Sequence, residues 1–420
     1  MRQRFTFGIA VSEFTHNIIK ILKGTVASQL LLIAATPALT RLYSPKDFGD
    51  LAVFVSWYSI LVGIFTLKFE LAIILPESDR ASMNLMKLTL ILSLGLSSLL
   101  LVVLIYIRLF MAYRLPSYYF LLPVLTFIGA LYSVLQQWFS RNKKFQISAH
   151  SVVVSAFCNV SLCFLLYGYL PSANGKLIIA YSAGFLLATG YLIFFALRQN
   201  WTNNRSGAVE IMRLFKEYSS FPKYMLPTAL LSVLSYQITP LLLARFFDAE
   251  TVGFYSVANR FLMMPSVLLG AAVGEVFRVE LVGKINRLED IQSFFLGTLK
   301  KLLITGIPVF VVAYFISPYI FELILGKKFY ISGVFSQYLC LAALGQFIAQ
   351  PFNYVFVAQR KMRLNLILQS ALSLVPVVAL TVGGGIFNSI ETSLLLLSGL
   401  TFIVAVVFVY FVFTCIRKSC

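Results

Sequence analysis

Apolar runs of about twenty residues or more recur along the whole chain, separated by short polar breaks. A helix of about 20 apolar residues spans the hydrocarbon core of a bilayer, and it satisfies its backbone hydrogen bonds internally. A membrane β-barrel would instead show alternating segments of about ten residues. With 59% hydrophobic and 12% charged residues and a mean hydropathy of +0.87, the chain is predicted to be an all-α polytopic membrane protein.

The apolar runs predict about twelve transmembrane helices. They lie at about residues 15–39, 48–75, 85–107, 117–138, 148–170, 176–197, 221–244, 251–277, 294–316, 332–356, 364–385 and 392–414. The longest polar break falls at the middle of this series. We therefore predict an N-terminal six-helix bundle (1–198), a cytoplasmic interfacial linker (199–222) and a C-terminal six-helix bundle (223–420).

Most of the 34 lysines and arginines fall on the membrane side that holds the N-terminus. Cytoplasmic loops carry an excess of basic residues, so both termini are predicted to be cytoplasmic. This topology accounts for the net charge of +18, and no nucleic-acid partner is expected. The basic N-terminal segment is interrupted by Glu13, His16 and Lys20 and lacks a cleavage pattern, so we interpret it as retained sequence.

Within the predicted linker, Val209, Met212, Phe215 and Tyr218 recur at helical spacing opposite charged residues. This pattern predicts an amphipathic helix at the membrane interface. A solvated linker is the alternative interpretation.

Two hairpins share a short pattern, TPALTRLYSPKDFGDL in the first half and TPLLLARFFDAETVGFY in the second. Each has a Thr-Pro pair, then an arginine (Arg41, Arg245), then a glycine eight residues later (Gly49, Gly253). An even number of spans returns the chain to the same side, so the predicted halves are parallel repeats. They are then related by a pseudo-twofold axis along the membrane normal, around a central cavity, as in transporters that alternate access.

The segments RLYSPKDFG, LKFELAIILPESD, EYSSFPKYMLPTALL and VGFYSVANRFLMMPSVLLGAAVGEVF resemble those of bacterial polysaccharide-unit flippases. These flippases are the O-antigen (Wzx-type) branch of the multidrug/oligosaccharidyl-lipid/polysaccharide (MOP) exporter superfamily. The resemblance covers essentially the whole chain. It implies two six-helix bundles around a central cavity in the bacterial inner membrane. It also implies transport of undecaprenyl-diphosphate-linked oligosaccharide to the periplasmic leaflet, for lipopolysaccharide or related polysaccharide biosynthesis, alongside other polysaccharide-assembly membrane proteins.

Arg260 lies in the middle of the apolar stretch GFYSVANRFLMMPSVLLG. Intramembrane ionisable residues are rare and mark functional sites by default. Ser256, Asn259 and Met263 form a partly polar stripe with it at helical spacing, which suits a wet cavity. Because a guanidinium holds phosphate oxygens bidentately, Arg260 and Asn259 are predicted to bind the substrate diphosphate. A structural ion pair with a buried acid is the alternative for Arg260.

Charged residues near the cytoplasmic ends of the first two spans are candidates for substrate entry and gating. Lys20 and Lys23 share a face of the first span and are predicted to collect the diphosphate; snorkelling to the interface is the alternative. Lys68 and Glu70 are two residues apart on the predicted second helix, so we expect them to point to different faces and not to pair. Glu70 is instead hypothesised to meet Arg278 across the cytoplasmic opening in the outward-facing state.

Glu275 and Asp248 are candidate ligands for a coupling proton or sodium ion. The sequence pattern does not decide between them. Gly270 and Gly274 predict close helix approach, and the glycine run 383–385 predicts a turn. The cysteines show neither a disulfide framework nor a zinc pattern, and no catalytic constellation is present. We therefore expect no metal, no cofactor and no enzymatic activity.

Two other functions remain as alternatives. A multidrug cation antiporter of the same superfamily is disfavoured because a basic midplane charge repels cations. A polysaccharide polymerase or ligase is disfavoured because such enzymes need a large outer segment, whereas the longest polar segment here is on the predicted cytoplasmic side.

Overall fold

The computed structural model describes residues 24–110, 116–169, 175–198, 208–287, 290–359 and 361–417. These ranges are almost entirely helical and contain no strand, which confirms the predicted all-α class. The helices are α1 (Gly24–Leu42), α2 (Pro45–Phe65), α3 (Phe69–Ala72), α4 (Asp79–Phe110), α5 (Leu121–Arg141), α6 (Phe145–Tyr169), α7 (Lys176–Leu197), α8 (Ala208–Glu217), α9 (Leu226–Phe246), α10 (Ala249–Arg287), α11 (Ile291–Leu325), α12 (Tyr330–Ala349), α13 (Tyr354–Ala358), α14 (Met362–Leu380) and α15 (Ile390–Arg417).

Eleven helical segments of the described residues are long and apolar enough to cross a membrane. They coincide with eleven of the predicted spans, so the chain is a multi-pass membrane protein. The remaining predicted span, 251–277, lies inside α10, whose 39 residues extend over roughly 58 Å at about 1.5 Å per residue. That length exceeds the ~30 Å thickness of a hydrocarbon core.

The described chain divides into two compact units by its internal contacts. The first unit comprises the chain up to Leu39 together with Trp57–Leu230, and the second comprises Thr40–Ser56 together with the chain from Leu231. The first half of α2 therefore packs with the C-terminal helices, an exchange that the linear order of spans does not show. The division at residues 198 and 222 stays a prediction.

Helix α8 confirms a helix in the linker, and one side of it packs on the core of the first unit. Leu214 is buried and Phe215 packs beside it, with its ring centroid 5.6 Å from that of Phe69 in the core of the first unit. Val209 and Met212 are 84% and 56% exposed, as an apolar face turned toward a membrane interface also is, so the interfacial placement stays a prediction. Successive steps of three residues drift about 60° around an α-helix, because a turn takes about 3.6 residues, so residues 209 and 218 lie on opposite sides.

Arg141, at the end of α5, binds the non-helical segment between α3 and α4. Its guanidinium donates to the backbone carbonyls of Ile74, Pro76 and Glu77, and its Nη2 lies 3.1 Å from Oδ1 of Asp79. One fork thus satisfies several carbonyls that the missing helical turns leave without partners. The arginine fixes where α4 begins.

Helices α2 and α10 cross at their N-terminal ends within the second unit. A Cβ added at Gly49 would lie 1.7 Å from the carbonyl oxygen of Ala249, and one added at Gly253 would lie 1.8 Å from that of Pro45. Pro45 and Ala249 occupy equivalent places in the predicted repeat, as do the two glycines. The contact is therefore reciprocal, like a self-complementary contact across a twofold axis, and it supports the predicted repeat.

The glycine run 383–385 lies in a π-helical segment, Thr381–Ile386, and not in the predicted turn. A Cβ at Gly383 would lie 2.4 Å from Cα of Ser393, and one at Gly384 would lie 2.9 Å from Cβ of Phe246. The glycines are needed because neighbouring helices approach the backbone closely. The prediction of a turn was wrong because it considered only the breaking of a helix.

Candidate functional site

A cavity of about 320 Å³ lies in the second unit, enclosed by α9, α10, α12, α14 and α15. This volume is at the lower end of the range of ~300–1,000 Å³ for small-molecule sites. Helix α9 contributes Ser235, Tyr236 and Thr239, and α15 contributes Thr401. The wall thus carries hydroxyl and amide groups among apolar side chains.

Helix α10 presents one face to this cavity. Tyr255, Asn259, Met263 and Ser266 line it at steps of four, four and three residues, the spacing of a single helical face. Asn259 and Met263 therefore lie on a cavity, as their polar stripe suggested. Arg260 is exposed and is not among the described residues lining this cavity, because one residue is about 100° of rotation on a helix.

The cavity floor is shaped by the turn Gln350–Phe352, which follows α12. Pro351 lacks the N–H that a continuing helix needs, and Gln350 lines the cavity. A Cβ at Gly270 would lie 2.9 Å from Oε1 of Gln350, and one at Gly274 would lie 3.4 Å from Cα of Pro351. The predicted close approach at these glycines is confirmed, and its partner is the turn that carries the Gln350 amide.

The described residues that line the cavity include no acidic or basic side chain. Its polar groups are hydroxyls and amides, including Asn259, Gln346 and Gln350. Hydroxyl and amide groups both donate and accept hydrogen bonds. The arrangement can bind a neutral ligand with many polar groups, but it offers no counter-charge to an ion.

Lys68 and Glu70 form an ion pair, with 3.4 Å between Nζ and Oε1, so the prediction that they do not pair is wrong. Helix α2 ends at Phe65, and Leu67 and Lys68 adopt the left-handed conformation, with φ of 47° and 61°. Helical spacing does not apply across this break. Glu70 is 5% exposed, and its Oε2 makes no hydrogen bond in the described part of the chain.

Replacing Lys68 by alanine is expected to lower the free energy of unfolding by about 2 kcal/mol, because it leaves a buried carboxylate without its partner. The measurement is the thermal midpoint of the purified protein in detergent. The Lys68→Met, Glu70→Gln double variant removes both charges and should recover part of the loss. A Lys68→Ala protein that unfolds at the parent temperature would contradict the stabilising role of this pair.

Arg278 and Asp248, two other predicted gating or coupling residues, have partners within the second unit. The Arg278 guanidinium lies 5.6 Å from the ring centroid of Tyr354. Asp248 caps α10, with its Oδ1 accepting a hydrogen bond from the backbone N–H of Thr251 at 2.7 Å. This bond to Thr251 lowers the pKa of the Asp248 carboxyl, so the group stays ionised at neutral pH, which works against a proton-carrying role.

Three predicted residues receive no side-chain placement. Glu275 lies in α10, of which the structure describes the backbone at that position. Lys20 and Lys23 lie outside the described residues. Substrate entry at these lysines, coupling at Glu275 or Asp248, and the pairing of Glu70 with Arg278 stay predictions.

The sequence also matches a known family. Residues 14–277, more than half of the chain, match the family model for polysaccharide biosynthesis proteins. The chain belongs to this family. No curated protein sequence matches this member of the polysaccharide biosynthesis protein family significantly.

Solved structures share the fold of this polysaccharide biosynthesis protein. An inward-facing multidrug resistance MATE family transporter of the MOP superfamily matches with a TM-score of 0.72 at 16% identity, covering 93% of this chain and 95% of that one. The lipid II flippase MurJ, in an inward closed conformation, gives 0.69 at 18% identity, over 94% and 87%. A MOP superfamily transporter from Pyrococcus furiosus, described by the reverse polarity of its binding pocket, gives 0.56 at 14% identity, over 96% of each chain. The resemblance seen in the sequence is confirmed at the level of the superfamily fold.

Proposed function

We propose that the chain is a flippase for undecaprenyl-diphosphate-linked oligosaccharide, the repeat unit of O-antigen or a related polysaccharide. It moves this lipid from the cytoplasmic to the periplasmic leaflet of the bacterial inner membrane by alternating access, with both termini in the cytoplasm. The family match and the fold support a transporter in polysaccharide biosynthesis. The observation that carries the choice of substrate is the neutral polar cavity on the helix that also bears Arg260.

Helix α10 offers a partner for each polar part of such a lipid. The diphosphate is an anion, which the planar guanidinium of Arg260 binds bidentately. The saccharide carries many hydroxyl groups, which the hydroxyls and amides of the cavity bind. Asn259 lines the cavity and Arg260 follows it about 100° around the same helix, so in this proposal the saccharide and the diphosphate bind to neighbouring faces of α10.

The cationic residues serve successive stages of the cycle in this proposal. Lys20 and Lys23 collect the diphosphate at the cytoplasmic side, and Arg260 holds it where an unpaired anion in hydrocarbon is least stable. Glu70 and Arg278 close the cytoplasmic opening when the carrier faces outward. Between transport events Glu70 is held by Lys68, its ion-pair partner in the structure.

The two alternative functions fit the site less well. A cation antiporter would favour a carboxylate inside the N-terminal bundle, whereas the ionisable residue predicted at the membrane midplane is the basic Arg260, which repels cations. A polymerase needs an acid, base or nucleophile to transfer a glycosyl group, and the described cavity side chains supply only hydroxyls and amides.

Depletion of the protein followed by lipid extraction tests the proposal. We expect diphosphate-linked repeat units to accumulate in the cytoplasmic leaflet, where an enzyme added to inverted membrane vesicles reaches them. Re-expression of the parent chain should clear them. Normal translocation with blocked chain growth would instead identify a polymerase, and normal glycolipid with lost efflux of a cationic dye would identify the antiporter.

A further inference from the structure

We propose that the cavity in the second unit is a saccharide subsite that admits an uncharged sugar and excludes sugar acids. This proposal rests on the proposed flippase function and deepens it by naming the class of sugar that the site binds. The repeat unit then carries a neutral hexose, deoxyhexose or N-acetylated sugar at the position that enters the cavity.

The absence of charged side chains from the described cavity wall favours an uncharged sugar. Among its described residues, those that line the cavity bear no ionisable acid or base apart from tyrosine hydroxyls. The carboxylate of a uronic acid would lose its water there without gaining a counter-ion, which is far less favourable than burying a hydroxyl that finds a hydrogen-bond partner. A neutral sugar avoids this penalty.

Polar groups reach the cavity from several helices. Asn259 on α10 and Gln346 on α12 approach the cavity from different helices, and Thr239 and Thr401 add hydroxyls from α9 and α15. Each primary amide supplies two donors and one acceptor oxygen, so the groups bond to sugar hydroxyls from several directions. This arrangement of hydrogen-bonding groups distinguishes sugars by the positions of the hydroxyl groups around the ring.

Two tyrosines in the cavity wall favour the binding of a sugar ring. Tyr255 is buried in the wall, whereas Tyr236 is 65% exposed and so marks the open side of the cavity. A tyrosine combines a flat apolar ring with a polar tip, and pyranose rings have apolar C–H faces that stack on such rings. The two side chains therefore recognise a sugar ring in a way that charge does not influence.

A smaller adjoining cavity of about 70 Å³ extends the same site. It shares Tyr236, Gln346 and Gln350 with the larger one and adds Asn353 and Gln369. These two amides lie among apolar side chains, and the described residues lining the extension also lack charge. The neutral lining thus continues beyond the space of a single ring.

Binding of three lipids to the full-length protein in nanodiscs tests this proposal. The probes are undecaprenyl diphosphate, the same lipid bearing glucose, and the same lipid bearing glucuronic acid, which differs by one carboxylate. We expect the glucosyl lipid to bind about tenfold more tightly than the glucuronosyl lipid, a ratio equivalent to about 1.4 kcal/mol. Undecaprenyl diphosphate without a sugar should bind more weakly than the glucosyl lipid.

Three variants at two glutamines of α12 separate the subsite from general stability. Gln346→Leu should reduce binding of the glucosyl lipid to the level of undecaprenyl diphosphate alone, and Gln346→Arg should raise the relative affinity for the glucuronosyl lipid. Gln337→Leu is the matched control, because Gln337 lies outside the cavity and donates to the Tyr314 carbonyl at 2.8 Å. It should leave the preference unchanged.

The outcomes distinguish the two proposals. Equal binding of the glucosyl and glucuronosyl lipids to the parent protein, or no effect of either Gln346 variant, would overturn the subsite. The flippase proposal would survive that result if undecaprenyl diphosphate still bound and required Arg260. Failure of all three lipids to bind would overturn both.

Discussion

Replacing Arg260 by alanine is expected to slow glycolipid translocation roughly 100-fold while the protein still accumulates in the membrane. Removing one partner of a buried, hydrogen-bonded charge pair costs about 2–5 kcal/mol, and about 1.4 kcal/mol corresponds to a factor of ten. The effect falls on translocation because the diphosphate that Arg260 would bind is present only during transport. The measurement is the rate at which labelled lipid-linked saccharide appears in the opposite leaflet of proteoliposomes.

Conservative and distant variants make this expectation specific. Arg260→Lys keeps the charge but loses the bidentate fork, so an intermediate rate is expected. Arg287→Ala, at the far end of the same helix, is the control and should transport at the parent rate. An Arg260→Ala protein that transports at full rate would contradict the binding role of this arginine, whereas one that is lost because it does not fold would support its structural interpretation.

Gly49→Ala and Gly253→Ala are each expected to lower the free energy of unfolding by at least about 3 kcal/mol. Overpacking by one methyl group usually costs about 1–3 kcal/mol when side chains are able to shift. Here the added Cβ would meet backbone carbonyl oxygens, at 1.7 Å for Gly49 and 1.8 Å for Gly253, so whole helix ends must separate. The thermal midpoint in detergent should fall by several degrees.

A third glycine provides the control for this crossing. Gly95 lies within α4, and a Cβ placed there meets nothing within 4 Å. Gly95→Ala should be neutral or slightly stabilising, because alanine favours a helix over glycine by about 1 kcal/mol. The double variant of Gly49 and Gly253 should cost less than the sum of the single changes, since each one already opens the same contact. Additive or negligible effects would contradict the reciprocal crossing.

The transmembrane helices could be predicted from the sequence because the hydrocarbon core of a bilayer restricts the backbone to very few conformations. Each apolar run long enough to cross must satisfy its own hydrogen bonds, so hydropathy alone located eleven spans in the described structure. The repeat was visible for a related reason. Gly49 and Gly253 stand where any side chain would collide with a backbone. This need for glycine is visible in the sequence, because no other residue type lacks a side chain.

Features that depend on tertiary contacts could not be predicted in this way. Leu67 and Lys68 are ordinary helix formers, yet both adopt left-handed angles, and this break lets Lys68 pair with Glu70. Helix α8 buries Leu214 because of the core that it meets. Its own periodicity allowed a different face.

The candidate site shows the same division. Asn259 was found because it stands beside Arg260 in an apolar span, and it does line the cavity. Gln346 and Gln350 were missed, although two amides four residues apart in one predicted apolar span were a usable signal. Tyr236 and Thr401 come from helices far apart in sequence, so only their convergence in the fold reveals them.

The most direct test of the flippase is a leaflet assay with the purified protein in liposomes. An undecaprenyl-diphosphate saccharide carrying a fluorescent label is placed in one leaflet, and a membrane-impermeant quencher added outside reports the fraction exposed over time. We expect the parent protein to equilibrate the label between leaflets and the Arg260→Ala protein to leave it close to the protein-free rate. Equal rates for the parent protein and protein-free liposomes would contradict the account.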